Sequence, residues 1–199
     1  MGLAKGAKRS AIIEAAIRLF LGEGFAATSV DMIAREAKVS KPTIYNHFAD
    51  KHALFEMAFV QATDMLGAKW PVPKPVGGPP RRQLVRFAKH CVHCWSDETM
   101  VALNRLAIAE VTRFPGIGAM VQDRLWLPLQ SEVVRILKEM PRPRPDPARA
   151  NAAARDFLCA LRTETLLPRL FGTAQAPTER RRREIAEAAV EALLARLPD

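Results

Sequence analysis

The chain has 199 residues, 49% hydrophobic and 26% charged, a balance that suits a folded domain and excludes wholesale disorder. Lys and Arg number 30 against 21 Asp and Glu, giving a formal charge of +9 at pH 7; this favours polyanionic partners without separating nucleic acid from a membrane surface. Three cysteines exclude a disulfide scaffold and suit a reducing compartment, and no apolar run reaches bilayer length. Lys5, Lys8 and Arg9 are followed by Glu14 and Arg18 rather than by a clean apolar core. No cleaved leader and no membrane partner are therefore expected, and the chain is read as intact and cytoplasmic.

Strand signals are absent and apolar spacings of three and four recur, so the fold class is all-α. The first helix is predicted from about Ser10 to Gly22, with Ile12, Ala15, Ala16, Leu19 and Phe20 on its core stripe. Gly22 and Gly24 end it, and Phe25 turns inward. A second helix opens at Thr28, which with Asp31 has capping-box spacing, and ends near Lys38 with Val30, Ile33, Ala34 and Ala37 inward. Ser40 caps a third, Lys41 to His47, with Pro42 in its first turn and Ile44 and Phe48 inward. Asp50 caps a fourth, Lys51 to Trp70, with Leu54, Ala58, Ala62 and Met65 on its inner stripe.

Residues 71–80 hold five prolines and two glycines, which break the pattern and place a boundary after the fourth helix. Helices then resume over about 81–95, 99–114 and 118–140, the last bent near Pro128. A second proline-rich break at 141–147 precedes two long helices, 148–171 and 178–197.

Three short helices joined tightly, the third presenting polar and aromatic residues outward, read as a helix-turn-helix that fits the major groove of double-stranded DNA. Ile44 and Phe48 anchor the reading helix. Lys41, Thr43, Tyr45, Asn46 and His47 form its outer face, and Lys51 opens the next helix, where an N-terminus favours phosphate.

The run Gly24 to Val30, then Ile33-Ala34, Val39-Ser40-Lys41, Ile44-Tyr45, His47-Phe48, Lys51 and Leu54-Phe55 resembles the DNA-binding head of TetR-family transcription regulators over about residues 10–56. Leu166 to Gly172 and Arg113-Phe114-Pro115 resemble the AefR-like subgroup. The resemblance implies a DNA-binding domain at 1–56 and a ligand-binding and dimerisation domain at 57–199. It implies a dimeric, ligand-responsive repressor of a palindromic operator, released by a small apolar or aromatic effector.

It also implies that Lys41, Pro42, Thr43 and Tyr45 lie nearest base edges, Pro42 on a thymine methyl and Lys41 on a guanine, while Thr28, Ser40, Asn46, His47 and Lys51 bind phosphate. The arm Lys5, Lys8, Arg9 adds nonspecific affinity or enters a minor groove. Two positions depart from the family pattern. Lys38 replaces the usual turn glycine, so a positive φ there would carry strain or the second helix would run on by a residue. His52 replaces a common Glu.

The head carries eight basic and six acidic side chains, so most of the excess charge lies in the body, including Arg180 to Arg183, read as a solvated rim. Met65, Phe87, Cys91, Trp95, Met100, Leu103, Leu106, Met120, Trp126 and Leu129 are candidates for an effector pocket, though such stripes are more often plain core. Arg105, Glu110, Arg113, Arg162 and Glu164 interrupt apolar stretches and either orient a ligand or pair with one another. Ala153, Phe157, Ala160, Leu161 and Leu167, with Ile185, Ala189, Leu193 and Leu197, suit a homodimer seam or internal core.

His90-Cys91-Val92-His93-Cys94 raises metal or thiol-redox sensing as an alternative, against core Cys and surface His. A further alternative is a helical module that no longer reads DNA. No catalytic motif is present, and neither enzyme activity, cofactor nor metal is expected.

Overall fold

A computed structural model describes residues 2–75, 77–141 and 144–197, with side chains from residue 6 onward. The Lys5 side chain of the basic arm and residues 142–143 of the second proline-rich break therefore lie outside the description. The elements are α1 (Gly2–Ala27), α2 (Val30–Glu36), α3 (Lys41–Tyr45), α4 (Lys51–Lys69), α5 (Pro80–Trp95), α6 (Glu98–Glu110), α7 (Gly116–Val121), a π-helical turn (Gln122–Trp126), α8 (Leu127–Lys138), α9 (Pro147–Leu170) and α10 (Glu179–Leu194). No strand occurs among the described residues. The chain divides into two compact units, Met1–Leu66 with Ala102–Val121, and Gly67–Val101 with Gln122–Asp199.

In the first unit, α1 starts eight residues before the expected Ser10, so Lys8 and Arg9 ride on a helix rather than on an extended arm. Of its predicted stripe, Ile12, Ala15, Ala16 and Phe20 are buried and Leu19 is half-buried. Gly24 breaks it at φ 80°, a conformation open to glycine but strained for any residue with a Cβ; Gly22 stays helical.

Phe25 then turns inward and joins an aromatic core with Phe20, Phe55, Phe59 and Phe114. Phe114 falls in the turn after α6, which ends at Glu110 and not at Phe114 as the spacing suggested. On α4, Leu66 takes the inward place expected of Met65, which is 55% exposed.

The capping-box reading at Thr28 is corrected. Ser29 is the N-cap of α2, its Oγ accepting from the Met32 amide at 3.1 Å. The Thr28 hydroxyl is buried and donates to the Gly24 carbonyl at 2.8 Å, with the Leu19 carbonyl at 3.3 Å, tying α2 to the end of α1. Arg18 adds a double contact from α1 to Glu36 of α2, at 3.1 and 2.9 Å.

Lys38 has φ 54°, the one positive φ of a non-glycine residue among those described, so the turn before α3 is held in the strained form. Lys38→Gly relieves that strain but adds freedom to the unfolded chain. A net gain of about 0.5–1 kcal/mol is expected in denaturant unfolding. An unchanged midpoint would mean that the turn is held at no cost.

In the second unit, α10 packs on α5 and α9, and α8 packs on α9. Thr178 caps α10 and Asp146 caps α9, each side chain accepting a backbone amide three residues on. The expected bend near Pro128 takes the form of the π-helical turn just before α8. Arg169 of α9 is 6% exposed, donates to the Ser96 carbonyl and pairs with Glu98, a buried cation answered by a carbonyl and a carboxylate. Among the described residues, no helix is long and apolar enough to cross a membrane.

Candidate nucleic-acid interface

The reading helix α3 is five residues long, too short to hold itself without anchoring and capping. Ile44 and Phe48, 1% and 6% exposed, root it in the core. The Ser40 Oγ accepts from the Thr43 amide at 3.3 Å and lies 2.8 Å from the Thr43 Oγ1, and Pro42 sits in the first turn where its missing N–H is not needed. Lys41, Pro42, Tyr45 and Asn46 are exposed, Tyr45 at 49%, while Thr43 and His47 are half-buried. Arg9 of α1 lies over the Phe48 ring at 5.5 Å, which brings a cation beside the end of α3.

Electrostatics on this face are internally balanced. The Lys41 ammonium pairs with Asp31 of α2 at 2.9 Å, and that hydrogen bond and charge raise its pKa above the usual lysine value. Lys51 is half-buried with its ammonium 4.3 Å from the centre of the Phe25 ring. Burial lowers its pKa, Arg113 lowers it further, and Glu110 acts the other way. Arg113 also covers Phe25, at 5.0 Å, and pairs with Glu110 at 2.9 Å. The ring of His52 meets Phe25 and Phe114 edge-on and tilted, at 5.1 and 5.4 Å.

The expected contact set is thus brought onto one surface with two exceptions. Thr28 is corrected, because its buried hydroxyl is committed to backbone carbonyls. The Lys51 ammonium rests on Phe25, where a cation–π contact holds it. Arg9, expected on a basic arm, instead rides on α1, which begins before Ser10 and sets it over Phe48.

Residues 12–58 match the model of the tetR family of bacterial regulatory proteins, and residues 82–197 match the C-terminal domain of AefR-like transcriptional repressors. The chain belongs to the TetR family. It is a transcriptional regulator and not an enzyme.

The flavonoid-responsive regulator FrrA is 32% identical over 96% of both chains, with a TM-score of 0.74. A TetR-family regulator from Mesorhizobium loti, 23% identical over 96% of both chains, shares the fold with a TM-score of 0.76. The head is also similar to the HTH-type transcriptional regulator YdeS of Bacillus subtilis, 48% identical over 64 residues; that match covers 32% of this chain and 30% of YdeS. UidR of Escherichia coli is 26% identical over 58% of each chain.

In the body of this TetR-family regulator, the pocket candidates divide between the two units. Leu103 and Leu106 are buried and Met120 half-buried in the first unit, whereas Met65 is corrected to the surface. Phe87, Cys91 and Trp95 are buried in the second, where Trp126 is half-buried.

The dimer candidates Phe157, Leu161, Ile185 and Leu193 are 0–5% exposed, so the chain's own core already takes them. Leu167, at 42%, and Ala189 remain open. The groove between α9 and α10 is lined by five alanines, Ala152, Ala153, Ala160, Ala189 and Ala192, together with Phe157, Leu193 and Leu197, and is rimmed by Arg149, Asp156 and Arg196. The Arg180 to Arg183 run is a rim, with Arg180 and Arg181 near Glu184, Arg181 on Glu164 and Arg182 on Glu179.

The metal and redox reading of residues 90–94 is corrected. Among the described residues, no three His, Cys, Asp or Glu side chains are placed to hold a metal ion. Cys91 and Cys94 are buried, and burial raises both thiol pKa values, Cys94 to about 12. Both thiols therefore stay protonated and unreactive at neutral pH. His93 faces Arg182 and Glu179, at 3.0 and 3.4 Å, rather than the thiols. Alkylation of the native protein at pH 8 is expected to label one fast thiol, the exposed Cys159, with Cys91 and Cys94 reacting only on unfolding. Peptide mass spectrometry over time reads this, and rapid labelling of Cys94 would restore the redox reading.

Proposed function

We propose that this regulator acts in the cytoplasm as a homodimeric repressor that reads a palindromic operator through α3 and releases it on binding a small apolar or aromatic effector. The observation that carries the reading is α3 itself: a capped helix rooted by Ile44 and Phe48 that turns Lys41, Pro42, Tyr45 and Asn46 to solvent. Ser40 and His47 flank that face and are assigned to the phosphates, and Thr43 to a base edge.

Two copies must hold their reading helices about 34–36 Å apart to meet successive major grooves on one face of DNA. The alanine groove of α9 and α10 supports the pairing, because small side chains let helices approach closely and Asp156 can answer an arginine of the second copy. The effector's nature draws support from FrrA, described as flavonoid-responsive. Phe87, Cys91, Trp95, Leu103, Leu106, Met120 and Trp126 are assigned to apolar recognition or its support. The leverage of an effector equals its differential affinity for the two shapes of the regulator.

The test is a fluorescence-polarisation titration against DNA from upstream of the regulator's own gene, beside a scrambled duplex, at two salt concentrations, with sedimentation of the free protein. Selective binding by a dimer, reversed by flavonoids or other small aromatics, carries the proposal. Equal weak binding to both duplexes at either salt would remove sequence reading from it.

A further inference from the structure

Of the five charged residues that interrupt apolar helical stretches, Arg162 stands apart. Arg113 reaches Glu110, and Glu164 reaches Arg181. Arg162, on α9 in the second unit, is half-buried, and among the described residues it has no ion-pair or hydrogen-bond partner. Its guanidinium lies 5.3 Å from the ring centre of Trp126. Burial lowers its pKa, a sign that the charge is partly stripped of water. A desolvated cation without an anion is an unfavourable arrangement that a bound anion would relieve.

The surroundings look built rather than incidental. Trp126 closes the π-helical turn Gln122–Trp126, a rare form found frequently at functional sites. Its indole N–H donates to the Gln130 Oε1 at 3.2 Å, and the Gln130 amide donates to Asn151 of α9 at 3.4 Å, so the ring is fixed in orientation. Beside the guanidinium runs a groove of about 200 Å³ walled by Leu166, Leu167 and Leu170, with Thr163 and Cys159 on its edge. A guanidinium held by the face of an indole keeps its N–H donors for other partners, and its planar fork suits a carboxylate gripped by two bonds.

We propose that this groove binds a small amphiphilic carboxylate, its carboxyl on Arg162, which Trp126 holds in place, and its ring or chain against Leu166, Leu167 and Leu170. The site's part in regulation rests on the effector reading above; the binding itself does not.

The experiment is calorimetric titration of the full-length protein with cinnamate and with octanoate, each beside its uncharged amide. At least one acid is expected to bind with a Kd below about 1 mM, and its amide about tenfold more weakly or worse. Arg162→Gln should remove about tenfold or more of the acid's affinity, and Arg162→Lys should keep part of it. Thermal melting checks the fold. Should Arg162→Gln melt early, Trp126→Leu serves as the second variant and must also weaken the acid.

Three results overturn the site: acid and amide binding alike, Arg162→Gln binding like the parent, or neither acid binding at about 5 mM. Weakened self-association of Arg162→Gln with no acid bound would make a second copy the guanidinium's partner, and would overturn it too. DNA release is followed separately. Acids that bind without releasing DNA keep the site and remove its effector role.

Discussion

Truncation of Phe55 to alanine should lower the stability of the first unit by about 3–5 kcal/mol. Phe55 is fully buried and touches four rings, with centroids at 4.4 Å to Phe114, 5.0 Å to Phe25, 5.1 Å to Phe20 and 6.2 Å to Phe59. Close packing leaves neighbours little room to collapse into the void, and each edge-to-face pair adds to the area term. Domains are stable by only about 5–15 kcal/mol, so this loss consumes a large part of the margin, and DNA binding fails at growth temperature with it. Phe55→Leu, which keeps most of the volume, should lose less than about 1.5 kcal/mol. Urea unfolding followed by circular dichroism reads both. A loss under about 1 kcal/mol for the alanine variant would show that the ring cluster does not hold the unit together.

Tyr45→Ala is the complementary case, a loss of reading without loss of fold. Tyr45 is 49% exposed on a helix whose anchors are Ile44 and Phe48, so truncation leaves the core intact and the melting temperature nearly unchanged. Affinity for the operator should fall by about 1–3 kcal/mol, roughly 5- to 150-fold, while affinity for a scrambled duplex barely moves. Lys41→Ala should behave differently. Loss of a phosphate-directed cation weakens both duplexes alike and flattens the salt dependence, whereas loss of a guanine contact weakens the operator alone. A Tyr45→Ala protein that binds both duplexes as the parent does would move base reading to Lys41, Pro42 and Thr43.

What the sequence made legible was set by local chemistry. Helix caps at Ser40 and Asp50, the anchors Ile44 and Phe48, and the breaks at Gly24 and near Pro128 all follow from residue type at fixed spacing, and the structure has them. Thr28 and Ser29 were confused because both can cap, and only the backbone decides which hydroxyl faces the α2 amides and which turns to the core. Met65 and Leu66 stand three and four residues after the buried Ala62, so both fit a helical stripe and periodicity alone does not rank them. The seam candidates divide for a related reason: large apolar residues mark burial but not which partner buries them, so Leu161 and Ile185 lie in the chain's own core, while Ala153, Phe157, Ala160, Ala189 and Leu193 line the groove between α9 and α10. Phe114 and Arg162 are singled out by motif and by charge in an apolar stretch, but the ring that each one meets is distant in the chain and leaves no local signal.

The Lys41–Asp31 pair bears on how the regulator would find its site. A cation already matched by a neighbouring carboxylate offers passing DNA little net attraction, and engaging a phosphate or a guanine with it exposes Asp31 to a strongly negative surface. On the proposed reading, contact with random sequence would be brief, and residence would lengthen only where base edges repay the broken pair. Such a head would trade grip for rapid sampling along the chromosome.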